Sequence, residues 1–177
     1  MNRIVRSSFA IVAAALAFSA AETQAQVGFS IAGGPSFATG DAGDMLDMGY
    51  HAKVAAAFSL PMLPIGLEAD AMWTQFNYSD VDDASSRILS GTLNAVINLP
   101  TPGITPYIIG GVGFYNGKDD IPGLDTESET ELGVNVGAGV RLGLVGLGGV
   151  FAEARLHNIF TEGESTRFIP VSLGIRF

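Results

Sequence analysis

The stretch Leu132-Gly-Val-Asn-Val-Gly-Ala-Gly-Val-Arg-Leu142 decides how this chain is read. Leu132, Val134, Val136, Ala138, Val140 and Leu142 share one parity, and Gly133, Asn135, Gly137, Gly139 and Arg141 share the other. Successive side chains of a strand point to opposite faces, so the pattern is a strand with one wholly apolar face and one polar, glycine-rich face. Its length matches the roughly 9 to 11 residues that a tilted strand needs to cross the hydrocarbon of a bilayer.

The pattern recurs on both sides of that stretch. Val150, Ala152, Ala154 and Leu156 oppose Phe151, Glu153, Arg155 and His157; Leu67, Ala69, Ala71 and Trp73 oppose Glu68 and Asp70. A lipid-facing Arg or Lys costs roughly 2–4 kcal/mol at the bilayer midplane, so the charged parity is the interior. A slip of one residue would turn every such charge outward. A soluble carrier of the lipocalin kind needs the reverse, an apolar lumen under a polar exterior.

Eight alternating runs follow from residue 27 onward: 27–39, 49–60, 65–78, 87–99, 106–116, 131–143, 147–160 and 167–177. The expected fold is all-β, an eight-stranded antiparallel up-and-down transmembrane β-barrel. The connections alternate as regularly as the strands. Tight links at Pro61–Pro64, Pro100–Thr105 and Leu144–Gly146 interleave with polar stretches at Gly40–Met48, Ser79–Ser86, Gly117–Thr130 and Thr161–Thr166. In an up-and-down barrel every second connection emerges at the same rim, so one rim is trimmed and the other carries every polar loop. Asp41, Asp44, Asp47, Asp80, Asp82, Asp83, Asp119, Asp120, Asp125, Glu127, Glu129, Glu162 and Glu164 fall in those loops, offset only by Lys118.

The whole-chain numbers agree with one membrane domain. The 177 residues are 47% hydrophobic and carry nine basic against 18 acidic residues, a net charge of −9. No basic patch exists to neutralise a run of phosphates, which argues against nucleic acid as a partner. Without cysteine, thiolate catalysis and thiolate metal sites are excluded as well. Arg3 and Arg6 precede the short apolar stretch Phe9–Phe18 and then small and polar residues, the layout of a signal peptide. Residues 1–25 are assigned to it, with cleavage after Ala25 and Ala21 as the alternative, leaving 26–177 as the barrel domain.

The inward charges are then Lys53, Glu68, Asp70, Arg141, Glu153, Arg155 and Arg176. An eight-stranded barrel is about wide enough for side chains to fill, so these are expected to form ion pairs and hydrogen bonds that occupy the lumen. The alternative is a narrow gated pore. Aromatic residues gather toward strand ends and suggest two lipid-headgroup girdles. Phe37, Tyr50, Phe76, Tyr78, Phe114, Tyr115, Phe160 and Phe168 are expected at the loop rim, Phe29, Phe58, Tyr107 and Phe177 at the turn rim, and Trp73 slightly deeper.

The last ten residues, Phe168-Ile-Pro-Val-Ser-Leu-Gly-Ile-Arg-Phe177, finish on an aromatic side chain with Ile169, Val171, Leu173 and Ile175 at alternate positions before it. This looks like a C-terminal assembly signal. With the export segment and eight strands, residues 26–177 resemble the small outer-membrane β-barrel proteins of the OmpX and OmpA transmembrane-domain type. The resemblance implies a bacterial outer-membrane location, insertion by the barrel-assembly machinery, contact with outer-membrane lipids and lipopolysaccharide, termini in the periplasm and loops outside. No peptidoglycan-binding domain follows Phe177, so a wall tether of the OmpA kind is not expected. Pro35 and Pro170 depart from an ideal barrel, because they lie at similar heights in the two strands that must close it and proline donates no ladder bond. A local bulge or a weakened seam is expected there, similar to the lateral route into lipid-modifying barrel enzymes.

Chemistry is thinly represented. A lipid acyltransferase or deacylase needs a serine activated by a nearby histidine and an acid. His51 and His157 are the only histidines, both assigned inward, and Ile159 stands where a His-x-Ser pattern would place the serine. Asp80–Asp83 and Asp119–Glu129 match no EF-hand spacing, and Gly33-Gly34 and Gly110-Gly111 are not phosphate loops. No catalytic, cofactor-binding or metal-binding residue is assigned. The expected role is structural or surface-interacting, without enzymatic turnover and with unknown ligands of the acidic loops. A narrow porin-like channel and a lipid-modifying enzyme are the alternatives.

Overall fold

A computed structural model describes residues 26–59, 65–79, 84–99, 101–120, 128–144, 148–161 and 165–177. Eight strands run β1 Gln26–Thr39, β2 Gly49–Ser59, β3 Ile65–Asn77, β4 Ser85–Asn98, β5 Ile104–Asp120, β6 Glu129–Leu144, β7 Gly148–Phe160 and β8 Ser165–Arg176. Each pairs antiparallel with its sequence neighbours, and β1 pairs with β8, so the sheet is a closed barrel with no free edge. Closure satisfies the backbone polar groups between strands, which is what permits a sheet to stand in hydrocarbon. A turn of 3-10 helix, Gly40–Asp44, follows β1, and Gly40 enters it at a φ of 70°. The expected signal peptide, the turns at 61–64 and 145–147, and the loop acids Asp80, Asp82, Asp83, Asp125, Glu127, Glu162 and Glu164 lie outside the described residues.

The parity rule sorts the two faces as expected. The apolar parity of β6 points outward with Leu132, Val136 and Val140 exposed, and Leu93, Val112 and Leu173 are exposed by 58%, 60% and 69%. The other parity fills the lumen. Glycine in β6 makes room for it: a Cβ at Gly133 would stand 2.7 Å from the Tyr115 ring, one at Gly137 would stand 2.7 Å from Arg155 Cγ, and one at Gly139 would strike the Tyr107 ring. The inner face of the quoted stretch is bare so that aromatic and guanidinium groups from β5 and β7 can enter the axis.

Two expectations are corrected. Phe76, Tyr107, Tyr115 and Phe168 do not belong to lipid girdles, because all four are buried in the lumen. They stand near the strand ends, but their parity is that of the interior, and parity overrides height. Phe76, Tyr115 and Phe168 join Met72, Ile88 and Ile159 in an apolar cluster, so the lumen is mixed and not purely polar. Phe37, Tyr50, Phe114 and Phe160 are exposed near the loop rim, and Phe29, Phe58 and Phe177 near the turn rim. The second correction concerns length. Pairing continues past Asn116 to Asp120, and Glu129 and Thr130 pair with Gly117 and Asn116, so Asp119, Asp120 and Glu129 sit on strands that rise above the expected loop boundary. Asp120 pairs with Arg87 and, at 3.6 Å, with Lys118. Nearby, Ser79 Oγ donates to Asp47 Oδ1 at 2.9 Å, and Leu46 and Tyr78 form a bridge that ties the first two polar connections together.

Candidate functional site in the barrel lumen

Arg155 organises the middle of the lumen. Its Nε donates to Glu153 Oε1 at 2.7 Å, Nη1 to Asp70 Oδ2 at 2.6 Å and Nη2 to Glu68 Oε1 at 2.6 Å. Lys53 Nζ reaches the same Glu153 Oε1 at 2.5 Å, and Tyr107 donates its hydroxyl to Glu153 Oε2 at 2.8 Å. Asn94 Nδ2 adds a bond of 2.9 Å to Asp70 Oδ2, and Asn135 Nδ2 donates to Asn94 Oδ1 at 2.8 Å. This connected group draws on six strands, β2 through β7, so ordering it fixes most of the barrel wall at once. Its ionised members are two bases and three acids, and charge-assisted bonds supply the compensation that buried ions require.

Five of the seven sequence-assigned charges thus meet: Lys53, Glu68, Asp70, Glu153 and Arg155. Arg141 and Arg176 face the lumen but form no ion pair among the described residues. Arg141 Nη1 donates to Asn98 Oδ1 at 2.6 Å, and its guanidinium lies 3.8 Å from the centroid of the Tyr107 ring. Of the expected ion pairs and hydrogen bonds, Arg141 makes a hydrogen bond alone, and Arg176 makes neither among the described residues. They lie nearer the turn rim, where the acid that borders their space, Glu68, already accepts from Arg155. Tyr107, Asn94 and Asn135 were missed as partners, although each has the parity of Glu68 or Arg155 and was legible on that ground.

The seam between β1 and β8 has its own chemistry. The ladder pairs Gly33 with Leu173 and resumes at Ser36 with Pro170, leaving Gly34 and Pro35 opposite Ser172 and Val171 without rungs. The β7–β8 ladder breaks likewise between Ala154–Val171 and His157–Phe168. Both resume in the same register, so the proline positions weaken the seam without a bulge. On the lumen side a side-chain bridge spans the break: Ser36 Oγ meets His51 Nδ1 at 3.0 Å, and His51 Nε2 meets Ser172 Oγ at 2.8 Å. Three strands, β1, β2 and β8, are joined through one imidazole where the backbone bonds are missing.

His157 is occupied differently. Its Nδ1 meets the Tyr115 hydroxyl at 2.9 Å, and its ring stacks on Phe168 with centroids 4.8 Å apart. Its Nε2 and the buried Thr74 Oγ1 have no hydrogen-bond partner among the described residues. Among the described residues no carboxylate bonds either histidine, and no group of three His, Cys, Asp or Glu is arranged to hold a metal ion. No helix among them is long and apolar enough to cross a membrane.

A closed eight-stranded barrel with aliphatic side chains outside and ionic ones inside is a bacterial outer-membrane β-barrel protein. The chain belongs to the outer membrane protein beta-barrel domain family, matched over residues 8–177. Its fold is similar to that of Neisserial surface protein A, with a TM-score of 0.71 at 16% identity over 87% of this chain and 98% of that one. It is also similar to Ail, the attachment invasion locus protein of Yersinia pestis, with a TM-score of 0.56 at 15% identity over 88% and 100% of the two chains. The N-terminal β-barrel domain of Pseudomonas aeruginosa OprF gives a TM-score of 0.54 at 17% identity over 87% and 100%. These likenesses establish the fold alone. No curated protein sequence matches the chain.

Proposed function

We propose that this outer-membrane barrel is a non-conducting, non-enzymatic protein that acts as a structural element and through the surface it presents at its loop rim. The observation that carries the reading is the Arg155-centred network, whose guanidinium is 2% exposed and joins β7 to Glu68 and Asp70 on β3 across the axis. Ions held in that many charge-assisted bonds leave no continuous water path of low energy, and the apolar cluster above them adds a second barrier. The turn rim faces the periplasm and the acidic loops face outward, in contact with lipopolysaccharide. The barrel-assembly machinery is the partner during insertion, with Ile169, Val171, Leu173, Ile175 and Phe177 as the assembly signal. Single-channel recording in planar bilayers tests the closed lumen, and a steady, resolvable conductance would replace this reading with that of a narrow channel. The channel reading draws on separate cavities of about 430 Å³ at the loop end and 420 Å³ at the turn end. Against a lipid-modifying enzyme stand the two histidines, neither oriented by an acid. Mass spectrometry of lipid A from cells with the protein, without it, and with His157→Ala is expected to show no difference.

A further inference from the structure

The lumen's unpaired bases stand together. Arg141 and Arg176 line the cavity at the turn rim and the small space beneath it, where Glu68, the acid they share that space with, is already bonded to Arg155. No acid can come from the turns, because residues 60–64, 99–105 and 144–147 contain neither Asp nor Glu. Arg176 lies flat against the bare backbone of β1, where a Cβ at Gly28 would stand 2.7 Å from its Nε and 2.9 Å from its Nη2. Arg141 is held by Asn98 and by the Tyr107 ring, which leaves its Nε and Nη2 unbonded among the described residues. Two oriented guanidiniums that form no ion pair among the described residues make a fork suited to a phosphate oxyanion.

The cavity wall indicates which phosphate. On one side it offers Arg141, Arg176, Ser59 and Thr105; on the other, the apolar Val27, Leu142, Val150 and Phe177 of the rim. An apolar groove of about 480 Å³ adjoins it on the outer wall, shares Leu142 and Val150, and runs past the small Ala152 and Gly174. The cavity and the groove share lining residues, one polar through Arg141 and Arg176 and the other almost wholly apolar. We propose that this rim binds an anionic phospholipid, its phosphate between Arg141 and Arg176 and an acyl chain along the β6–β8 groove. The proposal holds whether or not the lumen conducts.

Native mass spectrometry of the barrel in maltoside micelles, titrated with phosphatidylglycerol, phosphatidylcholine of the same chains, or inorganic phosphate alone, tests it. Phosphatidylglycerol is expected to be retained about tenfold more strongly than either competitor, since each guanidinium contributes charge-assisted bonds. Arg141→Gln with Arg176→Gln is expected to abolish that preference, while Arg167→Gln near the loop rim leaves it unchanged. Should the double variant fail to fold, Ser59→Asp, which supplies a carboxylate to the same mouth, is expected to remove lipid retention while heat-dependent gel mobility shows a folded barrel. Full retention in every folded variant, equal retention of the two lipids, or inorganic phosphate binding as strongly as the lipid would overturn the proposal.

Discussion

Replacing Arg155 with methionine removes the cation that serves Glu153, Asp70 and Glu68 together, at bond lengths of 2.6–2.7 Å. Methionine fills much of the same volume, so the cost is electrostatic and not a cavity. Breaking one buried pair by removing a partner costs about 3–5 kcal/mol. Three carboxylates are stranded here with Lys53 as the remaining base, so the loss is expected near the upper end, about 5 kcal/mol. Lys53→Met is milder, because Glu153 keeps both Arg155 Nε and the Tyr107 hydroxyl; about 2–3 kcal/mol is expected for one lost charge-assisted bond. The decisive comparison is Arg155→Met combined with Glu68→Gln and Asp70→Asn, which leaves the Lys53–Glu153 pair balanced and strands no charge. That triple variant is expected to recover most of the loss, since neutral replacements of a buried ion group are often nearly neutral in energy. Urea midpoints in lipid vesicles report these differences, read from the single tryptophan, Trp73, and from folded-band mobility in unheated gels. If the single variant lost less than about 1 kcal/mol, or the triple variant were no better than the single, the network would not be holding the barrel as argued.

Other perturbations separate the remaining parts of the structure. His51→Ala removes both bonds of the Ser36–His51–Ser172 bridge and is expected to cost about 1–3 kcal/mol, with hydrogen exchange accelerating at residues 33–36 and 171–173 while β4 and β5 amides stay protected. Gly139→Val drives a side chain into the Tyr107 ring and is expected to destabilise by about 1–3 kcal/mol in the same urea assay, whereas Gly143→Val, with open space at its Cβ position, is not. Leu93→Arg, on the exposed outer face of β4, is expected to cost about 2–4 kcal/mol in vesicles. In detergent micelles, where the side chain reaches water more easily, the same substitution should cost less; equal costs in both would argue against lipid contact at Leu93.

Parity made the wall legible in the sequence, because a strand crossing hydrocarbon cannot place Glu68, Asp70, Glu153 or Arg155 outside at tolerable cost. Which of those charges meet was not legible. Glu68 and Arg155 are far apart in the chain and on opposite walls, and their contact depends on the stagger between strands, which alternation leaves open. The aromatic residues show the same limit from the other side. Height along the strand puts Phe76 and Phe168 at the lipid rim, but their even numbers match the inward faces of β3 and β8 and set them in the lumen, where their rings lie 6.0 Å apart. The two prolines were legible as a fault in the closing ladder. Its repair was not, because nothing local marks Ser36, His51 and Ser172 as neighbours.

That repair explains how a closed barrel keeps prolines where its ends meet. A strand pair that loses rungs ordinarily frays, and in hydrocarbon each unpaired polar group is costly. Here the break is short, the register on either side is unchanged, and three inward side chains bind across it through hydroxyl and imidazole groups. The lumen face therefore carries the closure that the backbone yields, and the outer face needs no polar atom there. Above the break, Phe168 stacks on His157 and packs edge-on against Phe76, so β8 is also held from within by aromatic contacts to β7 and β3. Stability of the seam consequently depends on interior side chains more than anywhere else on the wall. A lumen variant should open the barrel first between β1 and β8, even when the substituted residue lies on β2.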